Sequence, residues 1–78
     1  MATYFFQWRC GTERVDDEDG RELPDLAAAV RAATGEMRGL IGQEATEGQI
    51  RLAQRIEIED EAHRVVHRVV VRDVITFI

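Results

Sequence analysis

Apolar and polar positions alternate with period two from Thr3 to Cys10, which places Tyr4, Phe6, Trp8 and Cys10 on one face and Thr3, Phe5, Gln7 and Arg9 on the other. That alternation predicts a strand whose first set meets the core. Gly11 then opens a turn, and Glu13-Arg14-Val15 reads as a short second strand. The period changes further on. Leu26, Val30, Ala33, Met37, Leu40 and Ile41 recur at spacings of four, three, four, three and one, a single face of a 3.6-residue repeat. A helix is therefore expected from about Leu23 to about Glu47. Pro24 suits its first position, where a missing N–H costs nothing. Glu22 and Asp25 place negative charge near the positive end of the helix dipole, and Gly48 is a stop signal. Period two returns from Leu52 or Ala53 to Asp60, with Ile56 and Ile58 turned to the core and Arg55, Glu57 and Glu59 turned away. Asp60 to His63 has the length of a hairpin turn. In the strand from Arg64 to Val71, alternation puts Val65, Val69 and Val71 on one face with His67, and Val66 and Val70 on the other with Arg68. Val74 to Ile78 is a β-prone tail expected to dock as an edge strand.

These elements make a single α+β domain. The expected form is a two-layer β-β-α-β-β unit, one helix packed on one face of an antiparallel sheet. One helix covers one face, so a strand with valines on both sides leaves the sheet's far face short of cover. Phe5, Val66 and Val70 are the candidate interaction residues there. A second candidate lies opposite the helix's core face. Ala28, Ala32, Gly35, Gly39 and Gly42 recur at four, three, four, three. Such a stripe fits close approach of another backbone, for example the same helix of a second subunit. The alternatives are a solvent face, or a helix that breaks near Gly39 or Gly42, since each interior glycine costs roughly 1 kcal/mol against alanine.

Composition removes several chemistries. The 78 residues include no serine and no lysine, so a serine nucleophile, a Schiff-base lysine and a phosphate-binding lysine are all excluded. Cys10 is the only cysteine, which excludes a disulfide within the chain and fits a strand-end residue. The acidic run Asp16-Asp17-Glu18-Asp19-Gly20 fails as a calcium loop. With Gly20 at loop position six, Val15 and Leu26 would fall where the first and twelfth ligands belong. The run reads as a solvated turn. His63 and His67 lie about 13 Å apart on a strand at roughly 3.3 Å per residue, too far to share one metal ion with Asp73. The glycines at 35, 39 and 42 follow no strand and make no phosphate loop. No catalytic residue, cofactor, metal or small-molecule ligand is expected.

The net charge of -5 opposes non-specific binding to nucleic acid or to anionic membranes. No apolar run approaches the roughly 20 residues that cross a bilayer. The opening residues carry no secretory pattern, so a cytoplasmic location is expected. Five arginines nonetheless cluster toward the C-terminus: Arg51, Arg55, Arg64, Arg68 and Arg72. They fit cross-strand ion pairing, with Arg64 and Arg68 facing Glu57 and Glu59. They also fit a sheet face gripping nucleic acid, with Phe5 or Trp8 stacking on bases.

The opening Tyr4-Phe5-Phe6, the acidic turn ending in Gly20 and the stretch Glu22-Leu23-Pro24-Asp25-Leu26 before an alanine-rich segment form a recognisable series. With the Asp-Glu turn, the valine strand and Asp73, they resemble a family of short α-proteobacterial proteins built around a domain of unknown function. The resemblance covers nearly the whole chain. It implies this fold and a bacterial cytosolic origin, and lends no activity or catalytic residue. This chain departs from the pattern in carrying glycines where such proteins usually have helix formers. The function expected is a non-enzymatic interaction or regulatory module, acting as a homodimer or with a protein partner. The alternative is a nucleic-acid-binding regulator using the hairpin arginines.

Overall fold

A computed structural model describes residues 1–76 of the chain. Its elements are β1 (Ala2–Cys10), β2 (Glu13–Val15), β3 (Arg21–Leu23), α1 (Leu26–Glu47), β4 (Arg55–Glu59) and β5 (Val65–Val70), followed by a 3-10 turn at Val71–Asp73. The strands form one antiparallel sheet in the order β2–β1–β4–β5. β3 continues along the same side of β1 as β2. Val15 pairs with Trp8, and Arg21 pairs with Tyr4. The α+β architecture thus matches the expected one, with β3 as an additional short strand before the helix.

The helix is set by its ends and by one buried row. Asp25 is the N-cap, in extended conformation, and its Oδ1 accepts from the Ala28 N–H at 2.8 Å. Pro24 therefore lies before the helix rather than at its first position, because the aspartate side chain satisfies a free N–H and proline has no such group. Gly48 ends the helix with φ of 89°, and its N–H donates to the Ala45 carbonyl at 3.1 Å. Between the caps the helix is continuous through Gly35, Gly39 and Gly42. Ala29, Ala33, Met37 and Ile41 are its buried row. Leu26, expected in the core, is 37 % exposed, because the row that meets the sheet is Ala29's. Two alanines in that row let the helix backbone come close to the sheet, and α1 packs mainly against β4 and β5.

The core joins that row to Phe6, Ile56, Ile58, Val69 and Val71, with Tyr4, Trp8, Leu23 and Val30 packed partly against it. Tyr4, Phe6 and Trp8 thus turn toward the core side as the alternation predicts. Three strand details differ from expectation. β4 begins at Arg55, after a turn that carries Gln54 into the interior. A bulge between Ile58 and Glu59 pairs Glu59 with Val65 and Ile58 with His67, so Val65 moves off the helix side and Val66 is the extra residue. Val71 stays buried but belongs to the 3-10 turn, where Asp73 Oδ2 accepts from the Val70 N–H at 2.8 Å. Contrary to the expected edge strand, residues 74 to 76 form no strand. The last two residues of the tail lie outside the described part.

Candidate functional site

The two edges of the sheet are built differently. On one side of β1, the partner strand is cut in two by residues 16 to 20. Asp17 fills the cut. Its Oδ2 accepts from the Phe6 N–H at 3.0 Å, and its Oδ1 from the Gly20 N–H at 3.0 Å. Its own N–H donates to Gln7 Oε1 at 2.8 Å. The carboxylate takes the place a backbone carbonyl would hold in a ladder. Burial alone would push the Asp17 pKa up, but the N–H groups of Phe6, Gly20 and Asp19, with Arg21 nearby, hold it below the ordinary value. Gly20 makes the turn possible. Its φ is 71°, and a Cβ there would sit 2.8 Å from Thr3 Cγ2 and 2.9 Å from Phe5 Cε1. The acidic run is therefore a structural plug at Asp17 rather than a wholly solvated turn.

The other edge is β5. It runs six residues, with the bulge at Val66, and has a neighbour, β4, on one side only among the described residues. Val65 and Val66 are 37 % and 38 % exposed.

The far face of the sheet is polar for most of its area. Glu57 accepts from Arg55 Nε at 3.1 Å and from Arg68 Nε at 3.0 Å. Burial raises the Glu57 pKa, and these two guanidinium hydrogen bonds more than reverse that, leaving it lowered. Buried Gln7 donates to Glu59 Oε1 at 3.2 Å, and His63 Nδ1 lies 3.2 Å from the same oxygen. Asp16 is lowered chiefly by its hydrogen bond from Arg14, and Arg9 reaches it at 3.1 Å. Phe5 is half-buried, its ring centroid 4.8 Å from that of His63, which sits in the hairpin turn at φ 60°. Val70 lies opposite Arg55 in the register and Val66 sits at the bulge. The three sequence-selected residues of this face thus fall at separate places around a charged centre. Gly35, Gly39 and Gly42 are exposed, with nothing within 4 Å of a Cβ built on any of them.

The hairpin arginines are largely engaged. Arg55 and Arg68 clamp Glu57, and Arg51 holds Glu13 at 2.8 Å. Arg64 makes no ion pair with Glu57 or Glu59 among the described residues. His63 lies in the hairpin turn and His67 in β5, and no group of three potential metal ligands occurs among the described residues.

One feature escapes the sequence pattern. Because α1 lies over β4 and β5, the core side of β1 and β2 is left open along the other flank of the helix. A groove runs there. Its apolar end, about 320 Å³, is lined by Phe6, Trp8, Val15, Leu40 and Ile56, with Glu36 at the mouth. Arg21 binds Glu36 and lies 4.4 Å from the Phe6 ring centroid, closing that end. The groove continues past Trp8, Val15 and Leu40 to Glu13, Gln43, Glu44, Glu47 and Arg51. Its wall is held by buried Gln54, which accepts from Trp8 Nε1 at 3.0 Å and donates to Glu44 Oε1 at 2.9 Å. The one trace of it in the sequence is Val15, an apolar residue in a strand of three.

No helix of the described residues is long and apolar enough to cross a membrane. No curated protein matches the chain, and no solved structure matches it. A family profile does match, over residues 3–72, which takes in the helix and all of the described strands except Ala2 of β1. The chain belongs to the family described as domain of unknown function DUF6894.

Proposed function

We propose that the protein is a non-enzymatic interaction module that pairs with a second copy of itself along β5. The observation that carries this reading is the six-residue edge of β5 with its exposed valines, capped among the described residues only where Asp73 takes the Val70 N–H, set against an opposite side broken into two three-residue strands around Asp17. An unpaired strand edge is a template for another strand. Antiparallel pairing about a two-fold axis uses the same residues on both copies, so β5 needs no second, complementary surface. Glu57 supports the arrangement by holding Arg68, the charge in the middle of the strand. Domains this small also gain stability from association that their own cores do not supply.

Sedimentation across a dilution series tests the reading. The expected mass moves from twice the monomer toward the monomer on dilution. Val66→Lys, which puts a charge on the exposed edge without touching the core, is expected to remain monomeric. Gly39→Leu is expected to leave association unchanged, and Phe5→Glu to weaken it less than Val66→Lys. A monomer at every concentration for the unaltered chain overturns the reading. A second reading, nucleic-acid binding by the hairpin, draws on exposed Arg64 and Arg72. Gel shifts at about 50 mM salt test it, since phosphate contacts are strongest at low salt. Absence of binding there ends it.

A further inference from the structure

We infer that the groove between α1 and β1–β2 is a docking site for a basic amphipathic segment of a protein partner. The site is independent of β5, which lies at the other side of the sheet. Its apolar end exposes Trp8, Val15 and Leu40 around a floor of Phe6 and Ile56, room for one or two aliphatic side chains. Val15 is 62 % exposed, so nothing in the chain covers this wall among the described residues.

Charge selects the partner. Around the groove stand Glu13, Glu36, Glu44 and Glu47, with Arg51 along it and Arg21 closing one end. Glu44 and Glu47 occupy the C-terminal end of α1, whose last turn holds no basic residue. That is the negative end of the helix dipole, where carboxylates are unfavourable and a cation is welcome. Glu13 is occupied by Arg51 and Glu36 by Arg21, but no ion pair holds Glu47 among the described residues. A lysine or arginine a turn away from an inserted leucine would meet Glu47 while the leucine fills the space beside Trp8. Phosphate, nucleic acid and acidic segments are disfavoured by the same carboxylates.

Trp8 is the only tryptophan in the chain, so its fluorescence reports this groove without a label. The test titrates the full chain with an amphipathic peptide of leucine and lysine that lacks aromatic residues, beside the same peptide with glutamate for lysine. A saturable change in Trp8 emission is expected for the lysine peptide, weaker at high salt. The glutamate peptide is expected to bind at least tenfold more weakly. Val15→Arg narrows an exposed wall and adds like charge, and it is expected to weaken the lysine peptide about tenfold, roughly 1.4 kcal/mol. Glu47→Gln is expected to weaken it about two- to threefold and to flatten its salt dependence. A lysine peptide that causes no saturable change overturns the inference. So does equal binding of the two peptides, or binding indifferent to Val15→Arg. A monomeric chain that still binds the lysine peptide would sink the β5 pairing and leave the groove standing.

Discussion

β5 and the β2–β3 side solve the problem of a strand edge in opposite ways. The β2–β3 side is chopped into two strands of three residues, and Asp17 caps the gap with its own side chain. Short strands, charges and bulges are how sheets avoid pairing with strangers. β5 has a bulge at Val66 but no proline, no lysine and twice the length. The contrast teaches that length decides where association is permitted: two three-residue strands parted by a turn offer a partner little to pair with, whereas β5 offers a longer edge, capped locally at Val70 by Asp73.

The largest effect is expected at Gly20. Gly20→Val forces a branched side chain into positive φ, where an L-residue loses roughly 1–2 kcal/mol, and drives it against Thr3 and Phe5. A loss of about 3 kcal/mol or more is expected in urea unfolding. Asp17→Ala removes the acceptor for Phe6 and Gly20. A loss of about 1–3 kcal/mol is expected, the usual cost of leaving such donors without a partner. The opened edge should also begin to self-associate, visible as new high-mass species.

Acid should act on Asp17, between β2 and β3, and on Glu57 of β4, which holds Arg68 of β5. Asp17 and Glu57 have folded pKa values below their ordinary ones of 3.8 and 4.5. Groups of that kind contribute stability that is complete above the unfolded pKa and disappears as pH falls through the folded one. Unfolding midpoints should therefore be flat above about pH 5 and fall below it. Asp17→Asn should show a shallower fall, measured by denaturation at a series of pH values. Gly39→Ala alters neither edge. The position is helical, exposed and open, so a gain of up to about 1 kcal/mol is expected with no change in association. Val66→Lys is the smallest in stability, within about 0.5 kcal/mol of the parent, although its effect on pairing should be complete.

Much of this fold is legible in the chain. Period two over Tyr4 to Cys10 and the four-residue row through Ala33, Met37 and Ile41 identify β1 and α1 without coordinates. What stays hidden is local or three-dimensional. Leu26 satisfies the helical period as well as Ala29 does, and only the sheet's position decides between them. Pro24 and Asp25 are both good helix-start residues, and the hydrogen bond to Ala28 settles the frame. The bulge that turns Val65 away depends on pairing with Glu59, which no property of a valine run announces. Asp17 looks like any acid in an acidic turn until Phe6 is seen beside it. The groove was unreadable for a further reason. It arises from where the helix axis lies across the strands, and a periodicity fixes which face is buried but not over which strands it sits.

The most direct test follows backbone amide hydrogen exchange strand by strand at high and low protein concentration. Amides of β5 around Val66 and Arg68 are expected to be protected at high concentration and to exchange rapidly on dilution, while those of Glu13 to Val15 keep one rate throughout. Equal, concentration-independent exchange at the two edges would contradict the proposed pairing.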